Sequence, residues 1–202
     1  MKKYIVKYIN ENIKSITIFF ICLLIGLVVG IVVYQFIDIE IQTQLCSTIK
    51  STLDLTKDAG FDSINVIKNG ILANTILVVI IYLASITFIA PGLICIIDIF
   101  KGLSIGLYIP TLFQTLGFSN GLLAILLLVI IPNIIYIPTF IYISVNGLNF
   151  HYSLMDETIK SKLSVILKEI YLFIVGFSII FLSVIIEQFT SLAIISIYKG
   201  II

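Results

Sequence analysis

The sequence has little charge. Of 202 residues only 11% are charged while 60% are hydrophobic, with a mean hydropathy of +1.21. Soluble domains carry about 25% charged residues, so this chain cannot coat a water-facing surface. A net charge of +1 leaves no electrostatic footprint for nucleic acid. Arginine and tryptophan are absent, and all twelve basic residues are lysine. Three scattered cysteines, Cys22, Cys46 and Cys95, exclude a disulfide framework and a zinc site. Cys22 and Cys95 fall in apolar runs, where a thiol serves as a small packing residue. With one histidine, His151, there is no His-Glu-x-x-His pair, and neither a Walker lysine motif nor a Gly-x-Ser-x-Gly elbow occurs.

What is present is a series of long apolar runs. Crossing a hydrocarbon core takes about 20 residues of helix, because every backbone polar group must be satisfied within the segment. The composition therefore predicts an all-α, polytopic transmembrane bundle in a single domain of about five spans. These are placed at 16–37, 70–97, 102–117, 121–145 and 170–186. The first run follows Lys2, Lys3, Lys7 and Lys14. It is too long for a signal peptide and has no Ala-x-Ala-like site, so it reads as a retained helix. Pro91-Gly92 interrupts the second run, and Asp98 and Lys101, three apart, are expected as neighbours at the interface. Ser119-Asn120-Gly121 signals the turn before the fourth run, which Pro132 and Pro138 bend.

Three polar stretches remain. In the outer loop, 38–69, Leu45, Ile49 and Leu53 recur every four residues, and Phe61, Ile64 and Ile67 every three. This is an amphipathic pattern with a break near Gly60, suited to lying on the bilayer or on a partner, with a solvated connecting loop as the alternative. The inner loop is 146–169, and the tail, 187–202, is read as interfacial or re-entrant because helix beyond Glu187 would place that carboxylate inside a span. Putting the amino end inside gathers Lys2, Lys3, Lys7, Lys14, Lys101, Lys160, Lys162 and Lys168 there, against Lys50, Lys57, Lys68 and Lys199 outside. The positive-inside rule favours that orientation, with the carboxyl end outside.

Within these spans no ionisable residue is expected, which counts against an ion-coupled carrier. The sequence offers no catalytic, metal-ligating or cofactor-binding residue, so neither an enzyme nor a cofactor is expected. Gly26-x-x-x-Gly30 and Gly102-x-x-x-Gly106 are spacings that let helices approach closely. Asn133 and Tyr136, between the two prolines, are placed to satisfy carbonyls freed by the break. Glu187 and Gln188, before the apolar tail, suit docking to an outer-face partner, as do Leu45, Ile49, Leu53 and Phe61.

The stretch Phe100-Lys101-Gly102-Leu103-Ser104-Ile105-Gly106, the Gly117 turn and Ile131-Pro132-Asn133-Ile134-Ile135-Tyr136-Ile137-Pro138 resemble the stage II sporulation protein M family. Lys101, Gly102, Gly106, Pro132, Asn133, Tyr136 and Pro138 carry the likeness. Tyr136 stands where broader relatives have Glu, and Thr139 where they have Ala. The resemblance implies a non-enzymatic membrane scaffold of the endospore engulfment machinery, on the mother-cell side of the septum. Its partners would be the peptidoglycan-degrading stage II sporulation proteins D and P, beside the lipid bilayer and, in a homo-oligomer, further copies of the chain. Relatives associated with ABC-type export and bacteriocin secretion or immunity imply the alternative, a permease-like subunit.

Overall fold

The computed structural model describes residues 2–55, 63–156 and 159–199. They form α1 (Lys2–Phe36), α2 (Ile39–Leu55), α3 (Ser63–Ile86), α4 (Ala90–Leu116), α5 (Phe118–Ala124), a π-helical segment (Ile125–Ile130), α6 (Ile131–Asp156) and α7 (Ile159–Lys199), with no strand among the described residues. The fold is the expected all-α polytopic bundle. Among the described residues four stretches are long and apolar enough to cross a membrane: Val6–Phe36, Ala90–Leu116, Phe118–Met155 and Ile166–Ile186. The Asn74–Ile86 part of α3 is apolar as well.

The α1–α4 pair makes the most extensive contact in the molecule, and four glycines explain why. A Cβ on Gly26 would run into the Ile99 carbonyl, and one on Gly30 into the backbone of Leu103 and Gly106. Conversely, a Cβ on Gly102 or Gly106 would strike the Leu23 or Leu27 carbonyl. The two Gly-x-x-x-Gly stretches therefore face each other. Apolar lipid provides no hydrophobic drive between helices, so such backbone-to-backbone packing is what joins them.

This contact also fixes direction. Positions on α4 rise as those on α1 rise, so the two helices run parallel, and α3 is the return pass that a parallel pair requires. Helix α6 runs against α4, since Asp98 meets Ser144 and Lys101 meets Tyr136. Helix α7 runs against α6, since Gly176 faces Ile143 and Ser183 meets Pro132. Thus α1, α3, α4, α5–α6 and α7 alternate in direction. The central core is Phe19, Leu23, Ile81, Ile94, Phe140, Ile143 and Ile180. Large apolar side chains such as Val28, Leu83, Ile134 and Ile174 point outward, as a lipid-facing surface does.

Several boundaries differ from those read in the sequence. The second run ends at Ile86, and the break is Thr87–Ile89, where Thr87 caps Ala84 through both its amide and its hydroxyl. Pro91 does not interrupt a helix; it lies in the first turn of α4, where a missing N–H costs nothing. Helix α4 consequently starts at Ala90 instead of 102 and runs through both Asp98 and Lys101, so the expectation of spans without ionisable residues fails. The turn after α4 is made by Gly117 at φ 76°, a conformation suited to glycine, and Ser119-Asn120-Gly121 already belongs to α5. Residues 146–169 are not an inner loop: α6 continues to Asp156 and α7 begins at Ile159. The tail does not fold back at Glu187, because α7 extends through it to Lys199.

Candidate functional site: a polar cavity at a helix break

On α6 the break begins before Pro132. Residues Ile125–Ile130 form a π-helical turn, with the Ile131 amide bonded five residues back to Leu126. Pro132 then supplies no amide at all. The side chain of Asn133 donates to the Val129 carbonyl at 2.7 Å, the role expected for it. From α7, Ser183 Oγ donates to the Pro132 carbonyl at 3.0 Å, pinning the two helices together at the break. Pro138 lies one and a half turns further on inside α6, beside Thr139, whose hydroxyl donates to Ile135.

Widening the helix leaves space. A cavity of about 330 Å³ lies between α3, α4, α6 and α7. It is lined by Lys101, Asn74, Asn133, Ser104, Tyr108, Tyr136 and Ser183, with Ile105, Leu128, Val129 and Pro132 as its apolar wall. Lys101 Nζ donates to Asn74 Oδ1 at 3.1 Å and sits 4.1 Å from the centroid of the Tyr136 ring. A lysine at the centre of a spanning helix costs roughly 2.5–3.5 kcal/mol on insertion scales. A cation–π contact returns about 0.5–2 kcal/mol, and a hydrogen bond to a charged group about 1.5–3 kcal/mol. Both contacts offset that cost.

One turn away, Asp98 is wholly buried (0% exposed). Ser144 Oγ donates to its Oδ1 at 2.8 Å, while Oδ2 has no hydrogen-bond partner among the described residues. Asp98 and Lys101 are thus not the interfacial pair that their spacing suggested: one reaches Ser144, the other Asn74 and Tyr136. Ser144, Asn74 and Ser183 were not singled out from the sequence, and Asp98 was read only as an interfacial neighbour of Lys101. The signal was apolar sequence on both sides of 98–101, which a helix restarted at Ala90 makes continuous.

A second polar group joins the amino-terminal part of α1 to α6. Tyr8 donates to Asn146 at 3.1 Å, and Asn149 to Asn12 at 2.8 Å. His151 and Glu169 are also buried, His151 with its ring against Tyr152. Among the described residues no group of His, Cys, Asp and Glu gathers to hold a metal ion.

The structure brings Lys101, Pro132, Asn133 and Tyr136 into the cavity and sends Gly102 and Gly106 to the opposite side of α4, against α1. Two of the candidate docking residues lie apart from it. Leu45 and Ile49 are half-buried on α2, and Ile49 packs on the core formed by α4, α5 and the π-helical segment. Leu53 sits in α2, Glu187 and Gln188 in α7, and Phe61 outside the described residues, as does the break near Gly60. Helix α2 is tied to the end of α1: Gln42 donates to the Tyr34 and Ile37 carbonyls, and the Tyr34 hydroxyl meets Gln114 and the Cys46 thiol.

Fold and site together define a multi-pass membrane protein whose polar side chains meet inside the bundle. The family model of stage II sporulation protein M matches residues 15–192, and the chain belongs to that family. It is a sporulation membrane family and is not known as a family of enzymes. No curated protein and no solved structure matches the chain.

Proposed function

We propose that the protein is a non-enzymatic scaffold of the endospore engulfment machinery. In this reading it sits in the mother-cell membrane at the septum, where it recruits and anchors the peptidoglycan-degrading stage II sporulation proteins D and P. Membership of the family supports this. The structural observation behind it is α2. Packed on α4 through Ile49 and capped onto α1 through Gln42, α2 is a fixed ledge at the end of the glycine seam. Its outward residues Thr43, Gln44, Ser47 and Lys50 are exposed. A rigid ledge lets a partner dock without ordering the surface first. Photocrosslinkers at 45–67 and 187–199 in sporulating cells test the reading. Captured wall hydrolases are the expected result, and capture of an ATPase alone would end it.

The cavity favours a second reading, a permease-like subunit of an export or bacteriocin secretion and immunity system. Transport sites are commonly built at broken helices near the membrane midplane, and the Pro132 break beside Lys101 is such a place. A deletion strain separates the two. Blocked engulfment supports the scaffold; intact engulfment with lost peptide secretion or resistance supports the permease.

A further inference from the structure

We infer that the amino-terminal part of α1 carries a binding surface for anionic lipid, with the phosphate at Lys14 and Lys7 and an acyl chain lying along Ile18, Ile21 and Ile25. Lys3, Lys7 and Lys14 recur at spacings of four and seven, which sets them on one side of the helix. All three are exposed. The opposite side of the same turns holds Tyr8 and Asn12, bonded to Asn146 and Asn149 of α6, and then Phe19 in the core. The lysines therefore face away from the bundle. Seven residues after Lys14 the stripe continues as Ile21, and Ile18, Ile25 and Val28 beside it are exposed too. One helix face thus changes from ammonium to hydrocarbon within a turn, the order in which a lipid presents its headgroup and its chain.

The charge balance selects an anionic headgroup over a zwitterionic one. Residues 1–15 hold four lysines and one acid, Glu11. The segment that joins α6 to α7 at the same end, 146–169, holds three lysines and three acids, so the positive excess there belongs to α1. Beyond the other end of α1, residues 38–69 hold three lysines and five acids. Glu11 lies 3.7 Å from Lys7, with the two side chains 61% and 73% exposed. A pair so open to solvent is weak and yields to a phosphate. Depth ranks the three lysines. Lys14 is the last charge before Asp38, so it marks the edge of the hydrocarbon. At about 1.5 Å per residue, Lys7 stands about 10 Å and Lys3 about 16 Å beyond it, against a headgroup layer about 5–8 Å deep. Lys14 touches that layer and Lys7 reaches it with its stem. Lys3 acts only through its field, which salt screens over about 8 Å. The surface lies at the opposite end of α1 from α2 and is independent of the scaffold reading.

The test uses the full chain in nanodiscs of phosphatidylcholine doped with phosphatidylglycerol. Bound lipid is counted by native mass spectrometry, and folding is checked by circular dichroism. The wild type is expected to retain phosphatidylglycerol over phosphatidylcholine, less so as salt is raised. Lys14→Gln should weaken that retention about fivefold, the share of one lysine at a membrane surface. Lys7→Gln should weaken it less and Lys3→Gln least, while Lys14→Arg should preserve it. Glu11→Gln, which removes the opposing carboxylate, should raise it. No preference for phosphatidylglycerol in the wild type would overturn the proposal. Equal losses in Lys3→Gln and Lys14→Gln would reduce the effect to overall charge and overturn it as well. Polyglutamate bound more tightly than the lipid through the same lysines would assign the face to an acidic protein partner and end the lipid reading.

Discussion

Helix α4 carries two faces that differ in every respect except their height in the bundle. One, through Gly102 and Gly106, meets α1 so closely that backbone touches backbone. The other, through Asp98, Lys101, Ser104 and Tyr108, meets α6 at a proline break with a cavity between them. Contact without side chains leaves nothing to rotate or titrate, so the first face sets register and direction. The second gives up close packing for polar groups, each requiring a partner. One helix thus serves as a beam on one side and as a site on the other.

The comparison breaks most visibly at the glycines. Gly26→Ala and Gly102→Ala each push a methyl into a carbonyl of the facing helix, which cannot rotate away. Overpacking costs about 1–3 kcal/mol, occasionally more, and backbone against backbone belongs at the upper end. Thermal unfolding in detergent should show both variants strongly destabilised. Gly92→Ala, in the first turns of the same helix and with nothing near its added methyl, should be neutral or stabilised by up to about 1 kcal/mol. Equal losses at Gly92 and Gly102 would show that close approach is not what the glycines provide.

The polar face should respond less, and differently. Ser144→Ala removes the hydroxyl that donates to Asp98 Oδ1 and leaves a buried carboxyl group without it, a loss of about 1–3 kcal/mol. If that contact is the cause, Ser144→Ala should cost little in an Asp98→Leu background, since the acceptor is gone. The double-mutant cycle, read by the same unfolding measurement, distinguishes this from a packing effect of Ser144. Additive losses would mean that the two residues do not act as a pair.

Much of the beam was legible in the sequence, and less of the site. Four glycines at i, i+4 in two apolar runs can be read as close-packing surfaces, although only the fold shows that they pack on each other. Asn133 was legible because a proline next door creates a local demand for donors. Asp98 and Lys101 were misplaced because hydropathy treats a charge as a boundary, whereas here Ser144, Asn74 and Tyr136, each distant in the chain, make the interior habitable for them. The same reasoning ended the last span at Glu187, while the backbone continues as helix to Lys199. Pro91 misled for a simpler reason: proline punctuates a helix at its start as readily as at its end.

The smallest expected effect sharpens the register itself. If Gly26 faces Ile99 and Gly30 faces Leu103, then one turn earlier the same register sets Cys22 of α1 beside Cys95 of α4. With Cys46→Ser removing the remaining thiol, mild oxidation in the membrane should join Cys22 to Cys95 within one chain. The product is detectable as a loss of about two mass units and of alkylation at both sites, since a disulfide replaces two S–H groups. Stability should hardly change, because the bridge would join helices already in backbone contact. An antiparallel α1–α4 pair would carry Cys95 away from Cys22 by several turns, and only dimers linked between chains would then form. That outcome would remove the parallel seam and, with it, the requirement that α3 cross back.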